Sequence, residues 1–389
     1  MSTAKKSKKG VTIYTPGKAC EGYTLIAPQG GYNVWLIDME GNIVHHWPLQ
    51  YQPCFFARLL PNGNLLYQGR EEENIEGPVL KVLDANHNPI GTLVLGGGQY
   101  MIEIDRNNKE VWRYENPFLS HDFFRMDNGN TMAVTYVQLP DNLKEKVVGG
   151  IPVDPTTPFW CDGLIEVNPK GEVVWEWKSY EHLAFEKAPL CPLMHRCEWT
   201  HMNTCTVLDT GDVLGSFRHL NIICIIDKKT GKIKWQWGQR EVAHQHEPIM
   251  LDNGNILVLD NGEHREGSNY SYSRVVEVNP KTNKIEWEYT ADPPYSWFTG
   301  NQAGCQRMPN GNTVITDAIP GRVFEVTKDK EIVWEYMSPF YGPHANQKPN
   351  PLLYRAYRYE RSFPGLKGLE LKADNYKMFN AVYGNKGLK

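Results

Sequence analysis

The 389-residue chain is 41% hydrophobic and 22% charged, with a formal net charge of −4. That balance reads as globular and excludes bulk electrostatic binding to nucleic acid, which needs a basic surface. The 12 Trp and 20 Tyr are many for this length and suit strands and rims with one buried edge and one wet edge.

The chain starts with four lysines between Met1 and Gly10, and the stretch after them is broken by Pro16, Gly17, Lys18, Glu21 and Gly22. No apolar run follows, so neither a signal peptide nor a membrane span is predicted. A cytoplasmic location is expected on that basis, or a periplasmic one if a leader was removed.

Two phrases then alternate to near the end of the chain. The first is a turn leading into an aromatic strand, with its tryptophan at Trp47, Trp112, Trp175, Trp235, Trp287 and Trp334. The second is a tight Gly turn between apolar strands, beginning at Pro61, Asp127, Asp209, Asp252 and Pro309. An Asn-Gly or Thr-Gly pair between alternating apolar runs is a strong hairpin signal, here read as a type I′ turn. The Trp phrase is a second hairpin. Two hairpins per unit make a four-stranded unit, and its repetition means propeller blades. No helical periodicity separates the units, which disfavours a parallel α/β fold.

The sequence therefore predicts an all-β chain: a six-bladed β-propeller of four-stranded blades. Its expected organisation is an N-terminal tail and closing strand (residues 1–30), the propeller (31–345) and a C-terminal tail that contributes to ring closure (346–389). The Trp47 unit lacks a Gly-turn hairpin, and Gly22–Pro28 and Leu353–Arg361 are candidates for its missing strands. The extra apolar segment Val79–Gly96 is either an insertion or part of a seventh blade.

Eight cysteines without a leader read as reduced, buried thiols rather than a disulfide framework. Cys191, His195, Cys197 and His201 are close in sequence, but their C-x3-H-x-C-x3-H spacing lacks the usual C-x-x-C knuckle. No structural metal and no cofactor are predicted.

Aligning the five Gly-turn hairpins on their first turn residue locates a site. Six places before the turn lie Phe55, His121, Asn203, His246 and Ala303. Eight places before it lie Pro53, Leu119, His201, His244 and Asn301. Nine places after it lie Arg70, Tyr136, Arg218, Asn261 and Ala318. The inner strand of a propeller should be apolar and small, yet these ends carry His121, His201, Asn203, His244 and His246, with Arg70 and Arg218 on the neighbouring strand. Each residue alone could cap a strand; the set together reads as a site in one cavity. His45, His46 and His87 fall away from that face and read as solvated.

Apart from Asp122 and Glu247, the set has few carboxylates, which disfavours a paired-carboxylate glycosidase. Histidines and arginines without acids suit an anion. Arginine offers a forked donor, and a neutral imidazole is a nucleophile or an acid–base group.

The motifs SHDF (120–123), WTHMN (199–203), SFR (216–218) and QHEP (245–248, followed by LDNGNILVLDNG) resemble those of the bacterial arylsulfate sulfotransferases, over roughly residues 20–345. That resemblance implies sulfuryl transfer from an aryl sulfate to a phenolic acceptor through a histidine-bound intermediate. It implies His246 as the nucleophile and His201, Asn203 and Arg218 as the grip on the sulfuryl oxygens. His121 would handle the phenol proton. Arg70, Tyr136 and His244 are expected to contact substrate. The family motif usually reads QHD, where this chain has Glu247 after His246.

Two other readings fit the same residues. One is a lyase or hydrolase of an anionic carbohydrate or aromatic substrate, with or without a metal. The other is a non-catalytic binding propeller. The expected partner is a small aromatic or anionic molecule, with no nucleic acid and no membrane; a homo-oligomer is left open.

Overall fold

A computed structural model describes residues 9–71, 79–83, 89–94, 96–154, 156–344 and 347–384. The chain is a six-bladed β-propeller, each blade an antiparallel sheet built on four strands and containing one of the six repeated tryptophans. By contacts it divides into two units. The first comprises residues 1–72, 101–113 and 302–389, and the second comprises 73–100 and 114–301. The first unit holds the blades of Trp47, Trp112 and Trp334. The second holds those of Trp175, Trp235 and Trp287.

All five Gly-turn hairpins share one register. Leu59 pairs with Leu65, Arg125 with Thr131, Val207 with Val213, Met250 with Ile256 and Arg307 with Thr313. Each pair lies two places before and four places after the first turn residue. The turn itself differs from the type I′ expectation. Gly63 donates to the Leu60 carbonyl at 2.9 Å, and Leu60 donates to the Asn64 carbonyl at 2.8 Å. Gly63 has φ +87°, and Asn62 is absent from the positive-φ residues. The loop is thus a three-residue type I turn closed by a left-handed glycine, which the Asn-Gly signal does not separate from a two-residue turn.

The repeated tryptophans have a packing role. Trp175 donates its indole N–H to the Lys228 carbonyl at 3.1 Å, Trp235 to Asn283 Oδ1 at 2.9 Å, and Trp334 to the Met39 carbonyl at 2.8 Å. In each case the acceptor lies in the outer turn of the following blade. A ring with one polar edge supplies apolar area and also satisfies an acceptor in the turn.

In the first unit, the Trp47 blade takes strands from both ends of the chain. Leu353–Glu360 pairs with Gly22–Pro28, which pairs with Asn33–Ile37 and then Ile43–Pro48. Gly10–Tyr14 adds a fifth, outer strand to the Trp334 blade. Arg358 and Glu325, both fully buried, form an ion pair between these two blades. The C-terminal segment Ala373–Tyr383 covers the outer strand of the Trp47 blade. There Tyr376 Oη meets His45 Nδ1 at 3.0 Å, and Phe379 packs on Trp35 and His46. Contrary to the sequence expectation, His45 and His46 are half-buried beneath that segment, whose docking leaves no trace in the repeat. His87 lies outside the described residues.

In the second unit, Val79–Leu83 and Pro89–Val94 pair only with each other among the described residues, so these two strands form an inserted hairpin and not a seventh blade. The core between the Trp175 and Trp235 blades contains Trp177, Trp199, Phe217, Cys205 and Cys224. All eight cysteines are buried and free.

Candidate functional site

The Gly-turn hairpins keep their common register near the turn, and those of the Trp175, Trp235 and Trp287 blades lose it at the far end. Register shifts fall between Leu119 and Phe123, between Met202 and Thr204, and between His246 and Ile249. These irregular stretches contain or border His121, Asn203 and His246. A bulge bends its strand and re-aims a side chain, which is why bulges recur beside functional sites. Thr200, His201, His244 and Glu247 also have positive φ, between +50° and +85°. Such conformations are costly for non-glycine residues and persist only where the surroundings impose them.

The second unit brings most of the expected residues together. The His121 and His201 rings lie 4.4 Å apart between centroids, and His201 stacks on His219 at 4.3 Å. The backbone of Arg218 donates to the His201 carbonyl at 2.9 Å. Asn203 Nδ2 donates to the Gln245 carbonyl at 2.8 Å, tying the second histidine strand to the third. The Tyr136 ring is 6.3 Å from His121, and its hydroxyl donates to the Gly96 carbonyl at 3.0 Å. Arg70 ends its strand in the first unit, paired with Gln52.

Around His246 the hydrogen bonds assign the ring proton. Nδ1 lies 2.7 Å from Asn261 Oδ1 and 3.1 Å from the His244 carbonyl. The Asn261 amide is oriented by its own Nδ2, which donates to the Thr299 carbonyl at 2.7 Å. Both partners of Nδ1 are acceptors, so Nδ1 carries the hydrogen and, in the neutral ring, Nε2 carries the lone pair.

The structure adds carboxylates that the repeat register does not contain. Glu198 Oε1 accepts from His201 Nδ1 at 2.6 Å, and the Glu198 carbonyl accepts from His219 Nδ1 at 3.0 Å. Glu263 pairs with Arg218, and its Oε2 stands 3.4 Å from His244 Nδ1. The expectation of a site nearly without acids is corrected accordingly. Glu198 and Glu263 lie on segments between hairpins, where aligning the turns cannot see them.

Burial dominates the titration of the group. It holds His201 well below the usual imidazole range, and the charges of Arg218, His246 and His244 lower it further. It also depresses His219, with His201 and Arg218 adding to the effect. Burial lowers His244 to about 4 despite Glu263 nearby, and it raises Glu198. Burial thus favours the neutral imidazoles of His201, His219 and His244.

Among the described residues, two triads have ligand atoms within 4.8 Å of one another: Cys191, His244 and His264, and Glu198, His201 and His219. The sequence grouping of Cys191, His195, Cys197 and His201 is not among them, since Cys191 and His201 fall in different triads.

The arylsulfotransferase (ASST) family model matches residues 80–338, about two thirds of the chain. The chain belongs to the arylsulfotransferase family. Membership assigns it to the sulfotransferases, and sulfuryl transfer is the chemistry of the family. No curated protein matches the chain. Among solved structures, a protein of unknown function from Bacteroides caccae is similar at 14% identity and a TM-score of 0.53, covering 87% of this chain and 98% of its own. That likeness concerns the fold. A streptogramin B lyase aligns at 11% identity with a TM-score of 0.46, over 90% of this chain and 97% of its own. No helix among the described residues is long and apolar enough to cross a membrane.

Proposed function

We propose that this arylsulfotransferase moves a sulfuryl group from an aryl sulfate to a phenol through His246. The observation that carries the reading is the hydrogen bonding of His246 Nδ1, which leaves the lone pair on Nε2. In the first half-reaction Nε2 attacks sulfur, the S–O bond to the aryl group breaks, and the phenolate leaves. In the second half the acceptor oxygen attacks sulfur, the N–S bond breaks, and Nε2 recovers its lone pair. His121 protonates the leaving phenolate and later takes the proton of the acceptor. Its Nδ1, 2.8 Å from Ser120 Oγ, has a partner that orients the ring.

His201, Asn203 and Arg218 hold the sulfuryl oxygens, supplying donors where negative charge shifts during transfer. The bound anion offsets the burial that keeps His201 neutral, and Glu198 on Nδ1 stabilises the proton it then takes up. Glu263 restrains the Arg218 guanidinium until a sulfate oxygen competes for it. Tyr136 and His244 are proposed to shape the surroundings of the substrate.

The test is turnover of a chromogenic aryl sulfate with a phenol acceptor, which should follow ping-pong kinetics. Mixed with donor alone, the wild-type chain should gain the mass of one sulfuryl group and His246→Ala should not. Full activity in His246→Ala would overturn the assignment.

A further inference from the structure

The triad Cys191, His244 and His264 is separate from the residues assigned to sulfuryl transfer, apart from His244. We infer that it is a transition-metal site that takes zinc, which the sequence reading did not expect.

Three observations support it. The ligand atoms of the three residues lie within 4.8 Å of one another, with Cys191 Sγ 3.4 Å from His264 Nδ1. Zinc bound to a thiolate at about 2.3 Å and to an imidazole at about 2.0–2.1 Å needs a tetrahedral S···N edge of about 3.5 Å. Second, the His244 side chain is fully buried; Nδ1 faces Glu263, and Nε2 makes no hydrogen bond among the described residues. A buried imidazole nitrogen without a partner is costly, and an ion would supply one. Third, Glu263 stands 3.4 Å from His244 Nδ1 and is itself held by Arg218. Ligating histidines usually have such a carboxylate behind them, which fixes the ring.

The donor set selects the ion. One thiolate and two imidazoles suit zinc or its spectroscopic substitute cobalt(II), not calcium or magnesium, which take oxygen ligands. Three protein ligands leave the fourth position for water or an added donor. Cys191 and His264 line a cavity of about 930 Å³ together with Leu193, Asn221, Arg240 and Glu266, which provides a path for entry. The second triad is a poorer candidate, because Glu198 already holds Nδ1 of both its histidines.

The site is tested on the full chain. After chelation and dialysis, zinc titration should load roughly one equivalent per chain. Cobalt(II) should give intense visible bands of tetrahedral coordination and a near-ultraviolet thiolate-to-cobalt band. The thiolate band should vanish in Cys191→Ser, and the visible bands should weaken in His264→Ala. In case a variant fails to fold, the wild-type chain offers a second measurement: zinc should slow alkylation of Cys191, read by peptide mass spectrometry. A cobalt complex without a thiolate band, or one unchanged in folded Cys191→Ser, would overturn the proposal. So would failure to retain zinc, or alkylation of Cys191 at the same rate with and without zinc.

Discussion

Nδ1 of His246 lies 2.7 Å from Oδ1 of Asn261. His246 opens one strand of the Trp287 blade, and Asn261 directly follows the strand paired with it, Ile256–Asp260. If the bond sets the tautomer, Asn261→Ala should lower kcat by at least roughly 100-fold while KM changes little, as when a histidine base loses the group that orients it. Asn261→Asp keeps an acceptor but loses the donation to Thr299, so it should fall in between. Steady-state kinetics with circular dichroism as a folding control would check this, and an unchanged kcat in Asn261→Ala would refute it.

Arg218 should matter more for transfer than for folding. Losing one donor to a developing oxyanion typically costs about 3–4 kcal/mol of transition-state stabilisation, so Arg218→Ala should lose roughly 100- to 1,000-fold in kcat/KM. Arg218→Lys should recover only part of it, because an ammonium lacks the planar fork. Full rescue by lysine would mean that the fork geometry is unimportant.

The buried pair of Arg358 and Glu325 should be sensitive to removal of either charge. Glu325 also accepts from the Cys20 backbone at 2.7 Å and from Asn312 Nδ2 at 2.5 Å, and Arg358 lies over the Trp334 ring at 4.1 Å. Arg358→Met leaves a buried carboxylate without its counter-charge and should destabilise by about 3–5 kcal/mol. Arg358→Met with Glu325→Gln should recover part of that in urea unfolding. A single variant as stable as the parent would contradict the reading.

Acid should weaken the first unit through His45. Burial, with a smaller contribution from His46, lowers His45 from the ordinary 6.5 to about 4. Between those values the unfolded chain binds the proton more readily than the folded one. Stability therefore falls as pH drops from about 6.5 towards 4 and flattens below it. At about 1.4 kcal/mol per unit the loss is on the order of 3 kcal/mol. His45→Gln, whose amide oxygen can still accept from Tyr376, should show a shallower loss between pH 7 and 4.5 in denaturant titrations. An identical slope would assign the acid sensitivity elsewhere.

The parts of this molecule legible in the sequence are those that repeat. His121, Asn203 and His246 share one column because every Gly-turn hairpin has the same loop length and the same pairing next to the turn. The tryptophans mark the blades because each ends the same turn-and-strand phrase, and those at Trp175, Trp235 and Trp334 bond the same turn of the next blade. Asn261 stood in a column with Arg70, Tyr136 and Arg218, but an asparagine there carried no charge to draw notice. Glu198, His219, Glu263 and His264 come from segments of differing length between hairpins. The only local sign of them was Glu198 three places before His201. The C-terminal cover over His45 joins residues more than 300 positions apart and has no counterpart in another blade among the described residues.

The pairing of Gly22–Pro28 with Leu353–Glu360 also has a mechanical consequence. The strands are antiparallel, and Gly22 faces Glu360 at one end of the ladder. Tension on the two chain ends, once the outer strand Gly10–Tyr14 and the C-terminal cover have peeled away, reaches both strands at that same end. Their hydrogen bonds would then break one after another and not all at once in shear. A chain stretched between its termini should open this blade first and at low force, before the blades of the second unit are loaded.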